Sequence, residues 1–151
     1  MNKICLVFMG IPGSGKSTLA KSLALPENIF EADNYWLNCV GEYLFVPEKI
    51  GKAHAWCQHS VHKAMEKGNT PLVVSNTSLT RKERQVYHDI AKKHGYEVEI
   101  VFPDSPWFKD IHPRLKDKTF TDEDVRVFTE KNTHGVPFEA IKRMMSRWEE
   151  D

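Results

Sequence analysis

The stretch GIPGSGKST, residues 10–18, constrains this chain more than any other. Gly10, Gly15, Lys16 and Ser17 satisfy the pattern G-x-x-x-x-G-K-[ST]. In that pattern backbone N–H groups wrap phosphates, a lysine reaches the outer ones and a hydroxyl ligates magnesium. Side chains would block so close an approach, hence the glycines. The flanks fit the same chemistry. Residues 3–9 are apolar and β-favouring, as expected of a buried parallel strand, and the helix expected over 17–23 turns its positive N-terminal dipole toward the anion. The expected nucleotide contacts are Gly10, Pro12, Gly13, Ser14, Gly15, Lys16, Ser17 and Thr18, with Ser17 as the Mg2+ ligand.

The 151 residues suit a single domain, 1–151, with a core of its own, and 40% hydrophobic content is ordinary for such a domain. A net charge of zero leaves no broad basic surface for wrapping a long nucleic acid, although local contact with a strand end remains open. Cys5, Cys39 and Cys57 are odd in number and far apart, which suggests reduced, buried thiols in a cytoplasmic protein. No apolar run approaches membrane-spanning length, and no cleavable signal peptide is expected.

Strand and helix patterns alternate along the chain. NIFEAD (28–33) reads as a second strand, 48–67 as a long helix stopped by Gly68, and PLVVSN (71–76) as a third strand. TRKE (80–83) is a capping box opening a helix to His94 that Gly95 closes, and YEVEIVF (96–102) is a fourth strand. Helices are expected over 107–115, over 121–132 with an acidic first turn, and over 137–149 with Pro137 at its first position and Ala140, Ile141, Met144 and Met145 on its apolar face. The alternation implies an α/β fold with a parallel sheet covered on both faces.

No apolar strand ends in the D-E or D-x-x-G signals of motor ATPases and GTPases. The second strand ends in Asp33, and strand carboxyl ends converge at the ligand crevice of such sheets. Asp33 is therefore a candidate base for an acceptor hydroxyl, the alternative being a turn or N-cap aspartate.

GIPGSGKST, IFEADNYW, GEYLF, AHAWCQ, VVSNTS, HGYEVEIVFPDSPW and NTHGVPFEAIKRMMSRWE occur in an order that resembles the phage-type 5'-polynucleotide kinase family, in particular its branch of Nedd-binding-protein-like modules. The resemblance covers essentially the whole chain. It implies a P-loop NTPase fold with a four-stranded parallel core and a C-terminal helical lid, about 107–137. It also implies transfer of the ATP γ-phosphate to a 5'-hydroxyl of DNA or RNA, with Lys16 and Ser17 on phosphate and magnesium and Asp33 as general base. Three departures stand out. Trp36 replaces a basic residue after the base, which suggests stacking on a nucleobase. The third strand ends in Ser75, Asn76, Thr77, Ser78 instead of an acidic motif, leaving Asn76 and Thr77 as candidate acceptor contacts. The lid arginines have Arg126, Lys131 and His134 as their nearest counterparts, of which Arg126 and Lys131 are expected on the triphosphate.

His54, Gln58 and His62 share a helix face; lining of the acceptor channel by His54 is favoured over a zinc site. Trp56 is expected in the core, with Tyr43 and Phe45 as further aromatics that either pack or stack. Arg81, Lys82 and Arg84, and the Lys92, Lys93 pair, are expected on solvated helix faces. Two other functions stay open on this sequence: a P-loop kinase for a small-molecule hydroxyl, and a non-catalytic nucleotide-binding regulatory module.

Overall fold

The computed structural model describes residues 2–36 and 49–151. Cys39, Tyr43, Phe45 and the side chain of Trp36 lie outside the described residues. The elements run β1 (Ile4–Phe8), α1 (Lys16–Leu23), β2 (Ile29–Phe30), α2 (Ile50–Glu66), β3 (Leu72–Val74), α3 (Arg81–His94), β4 (Glu97–Val101), α4 (Pro106–Asp117), α5 (Asp122–Lys131) and α6 (Phe138–Ser146). The four strands form one parallel sheet in the order β2-β3-β1-β4. This is the four-stranded α/β architecture expected from the sequence.

Strand periodicity divides the core. Cys5, Val7, Leu72 and Val74 face α2 and α3, where they meet Val61, Met65, Tyr87 and Ala91. The alternate residues Leu6, Phe8, Val73 and Ile29 face α1 and pack on Leu19 and Ala20. Because β1 carries no charge, both of its faces are buried, and it takes the inner position between β3 and β4. From β1 the chain crosses to β2, beyond β3, whereas the later crossover from β3 passes β1 to reach β4 on its other side. The loop after β1 therefore opens at the switch point, where parallel sheets take their ligands.

The C-terminal helices form a third cluster in which Phe108, Ile111, Leu115, Val125, Phe128, Ile141, Met145 and Trp148 close over Met9 and Ile11. Arg114 ties α4 to α5 with a fork on Asp124, both N–O distances 2.8 Å, and this pairing holds the Asp124 carboxyl below its ordinary value. Thr121 and Asp124 also form a reciprocal capping box at the start of α5.

Local differences from the sequence expectations have identifiable causes. Pairing of β2 stops at Phe30, because the next inward N–H, that of Ala32, donates to the Asn76 side chain (2.8 Å), and the backbone turns into a short 3-10 segment, Ala32–Trp36. Asp33 thus sits in a turn just past the strand. In TRKE, Thr80 accepts from the Glu83 N–H as expected, but the Glu83 carboxylate reaches back to the Leu79 N–H, one residue before the cap. Pro137 caps α6 from outside the helix instead of occupying its first position.

Arg84 is a clear correction. Expected on a solvated face with Arg81 and Lys82, it is only 1% exposed. Its guanidinium donates to the Ser78 carbonyl (2.8 Å), the Glu149 carbonyl (2.6 Å) and the Asp151 carboxylate (2.9 Å), fastening α3 to the segment after α6. An Arg84→Met variant keeps the bulk and strands two carbonyls. It is expected to lose about 2 to 3 kcal/mol of stability in urea denaturation, whereas Lys82→Met stays within about 0.5 kcal/mol. Equal stabilities of the two variants would show that the buried guanidinium does not hold the C-terminal segment.

Candidate functional site

The phosphate-loop motif is pinned from three sides. The Gly10 N–H donates to the Thr77 carbonyl (3.0 Å) and the Met9 N–H to the Val101 carbonyl (2.9 Å), which fixes the loop entrance to the ends of its neighbouring strands. From α4, the Ser105 hydroxyl donates to the Ser14 carbonyl (2.9 Å) and the Trp107 indole N–H to the Gly13 carbonyl (2.8 Å). With the Ser14 carbonyl held outward, peptide planarity turns the Gly15 N–H to the opposite side, into the loop. Gly13 adopts φ 86°, and a Cβ there would lie 2.5 Å from the Phe128 carbonyl and 2.8 Å from the Asn132 nitrogen. Only glycine lets the end of α5 close so tightly on the loop.

Inside this cradle Lys16 donates to the Gly10 carbonyl at 3.3 Å. Burial pushes its ammonium down to about 8, and the Glu31 carboxylate, followed by that of Asp33, opposes the shift. The Ser14 hydroxyl is fully buried without a hydrogen-bond partner, and a Cβ on Gly10 would lie 2.8 Å from it and 3.1 Å from the Lys16 chain. A partly desolvated cation, an unsatisfied hydroxyl and a space closed to a methyl group suit the oxygens of a polyphosphate. Ser17 and Thr18 are exposed on the first turn of α1, where a hydroxyl can reach a magnesium ion.

Asp33 is exposed in its turn. Behind it Ala32 packs with Ala53 and Cys57 of α2, which carries His54 past the same turn. Trp56 corrects another expectation: it is 40% exposed rather than part of the core, with its ring 6.0 Å from that of Tyr35. Two aromatic rings therefore flank the Asp33 turn. Asn76 engages its whole amide internally. Its oxygen accepts from the Ala32 N–H, and its nitrogen donates to the Tyr87 hydroxyl (3.3 Å) and toward the Cys57 sulfur (3.7 Å). Asn76 thus fixes the backbone beside Asp33, and Thr77 acts on the loop through its carbonyl.

The two lid cations part company. Lys131 lies 4.4 Å from the centre of the Trp107 ring, the side chain that also holds Gly13, so it sits at the loop. Arg126 is about 200° around α5 from Phe128; it pairs with Glu123 and lies over Phe138. His62 ties α2 to α3, its ring 2.8 Å from His94 and 3.0 Å from Glu66. Asn132 bonds the Thr129 and Val136 carbonyls and shapes the NTHGV turn. Nothing in the loop pattern points to Glu31; its signal is the two-residue spacing from Ile29 that carries it to the face of β2 turned toward α1.

A phosphate loop at the switch point of a parallel sheet, with an acid just beyond the end of β2, defines a P-loop kinase-like domain. A family model described as AAA domain matches residues 6–150, and the chain belongs to that family. Human NEDD4-binding protein 2 is 30% identical over 148 residues, covering 97% of this chain and 8% of that protein. A putative bifunctional polynucleotide phosphatase/kinase of Acanthamoeba polyphaga mimivirus is 28% identical over 105 residues, 69% of this chain and 21% of that protein. The chain thus spans a small part of these relatives. A chain of the Pnkp1/Rnl/Hen1 RNA repair complex superposes with a TM-score of 0.62 at 19% identity, over 97% of this chain and 44% of its own. Among the described residues no helix is long and apolar enough to cross a membrane.

Proposed function

We propose that this domain is an ATP- and magnesium-dependent kinase that phosphorylates a 5'-hydroxyl at the end of a DNA or RNA strand. The observation that carries the reading is that the phosphate loop after β1 and the Asp33 turn after β2 both leave the carboxyl edge of one parallel sheet. Gly10, Pro12, Gly13, Ser14, Gly15, Lys16 and Thr18 hold the ATP phosphates. Ser17 would hold magnesium, which would offset negative charge on the phosphates. The acceptor oxygen attacks the γ-phosphorus, the bond to the β,γ-bridging oxygen breaks, ADP leaves, and the acceptor proton passes to Asp33. Lys131, released from Trp107, reaches the phosphates, and Arg126 follows only if it gives up Glu123.

Acceptor recognition by a strand end is supported by the Tyr35–Trp56 pair beside Asp33, two rings tilted 56° to each other, of which the exposed Trp56 offers a nucleobase a stacking surface. Trp36, next to Tyr35 in sequence, is a further stacking candidate, and His54 lines the acceptor side from α2, while Asn76 and Thr77 close the crevice on the strand side. The name of the mimivirus relative, a polynucleotide phosphatase/kinase, points the same way. The buried free thiols Cys5 and Cys57 fit a reducing, cytoplasmic setting. The test is transfer from γ-labelled ATP to a panel of 5'-hydroxyl DNA and RNA oligonucleotides and free nucleosides. Label on oligonucleotide 5' ends is expected. Label on small alcohols alone would replace the acceptor class, and tight ATP binding without transfer would make the domain a nucleotide-binding module.

A further inference from the structure

The third strand, where the family resemblance implies an acid, ends in Ser75 here, and β2 offers a replacement from the side. We propose that Glu31 supplies that carboxylate, acting from the end of β2 on the magnesium held by Ser17; this rests on the nucleotide site described above. The register places the two residues together: Ile29 pairs with Val73 and Phe30 with Val74, so Glu31 follows beside Ser75. Bonds on either side fix that juxtaposition, the Ser75 N–H donating to the Phe30 carbonyl (2.8 Å) and the Ala32 N–H to the Asn76 side chain (2.8 Å).

Strand alternation then sets the direction. Ile29 and Val73 both face α1 and pack in one cluster with Ala20, so Glu31 and Ser75, each two residues further along, project to the same side. On α1, Ser17 lies one turn before Ala20, toward the crevice. The three residues therefore lie on one side of the sheet, past that apolar cluster toward the crevice. One feature marks the place as a ligand site. The Ser75 hydroxyl has no hydrogen-bond partner although the residue is 95% buried, being 5% exposed. Serine is too short to replace an acid, whereas glutamate from the adjacent strand spans the difference.

Calorimetric binding of the non-hydrolysable analogue AMPPNP, measured against magnesium concentration and in EDTA, tests the assignment. Wild type is expected to bind more tightly with magnesium. In Glu31→Gln the magnesium needed for half of that gain should rise about 10- to 100-fold, with affinity in EDTA unchanged. Adding Ser75→Asp to Glu31→Gln returns an acid to β3 on the same face and should restore the lower requirement. If that double variant fails to fold, the single variant still decides. An unchanged magnesium requirement in Glu31→Gln overturns the proposal. So does an equal loss of affinity with and without magnesium, which would make Glu31 a partner of Lys16 alone. Absence of AMPPNP binding by wild type would instead overturn the nucleotide site itself, and the proposal with it.

Discussion

Asp33→Asn is expected to keep ATP affinity while lowering phosphoryl transfer to a 5'-hydroxyl by about 10² to 10⁴, the usual contribution of a positioned general base. The separation follows from how the site is built. The proposed nucleotide contacts lie on the loop, which is held by Thr77, Val101, Ser105 and Trp107, none of them on the Asp33 turn. That turn is held by its own bond, from the Ala32 N–H to Asn76, so an amide at position 33 leaves its backbone in place. Loss of the carboxylate also removes one of two charges that favour the Lys16 ammonium, but Glu31, the stronger of the two, remains. The check is single-turnover transfer from γ-labelled ATP beside calorimetric ATP binding. Transfer at the parental rate would make Asp33 a turn residue and leave His54, on the neighbouring helix, as the next base to test. Equal losses of binding and transfer would place Asp33 on the nucleotide instead.

The sheet was legible because its information is local. Uninterrupted apolar runs at 4–8 and 72–74 and the caps at Thr80, Gly95 and Thr121 act within a few residues of themselves. Partners distant in sequence account for what was not legible. β2 is shortened by Asn76, 44 residues downstream of Ala32. Arg84 reads as surface because its helix is basic, yet its acceptors lie 65 and 67 residues away, at Glu149 and Asp151. Trp56 reads as core because large aromatics usually are, whereas its neighbour Tyr35 sits on an open turn. The candidate site divides in the same way. A loop whose chemistry needs contiguous glycines announces itself, but Glu31 gains meaning only once β2 is laid beside β3. Lys131 becomes distinct from Arg126 only once α5 is rotated against Gly13.

Lys16→Ala is expected to lower turnover at least about 10²-fold while leaving the nucleotide-free fold as stable as wild type or more so. The two halves of this expectation share one cause. Burial works against the charge of Lys16, which is why its ammonium is pushed down to about 8 despite the help of Glu31 and Asp33. Without nucleotide, the bond to the Gly10 carbonyl (3.3 Å) returns little for that desolvation, and removing the amine relieves it. During transfer the balance reverses. Negative charge accumulates on the γ-phosphoryl oxygens in a space narrow enough to exclude a methyl group at Gly10, and a fixed cation there acts without first reorganising water. A structural lysine would give the opposite pattern, with lower melting temperature and little change in rate. Thermal melting without nucleotide, set beside multiple-turnover transfer to a 5'-hydroxyl oligonucleotide, separates the two. Near-normal transfer by a folded Lys16→Ala protein would refute the assignment of the loop to phosphoryl chemistry.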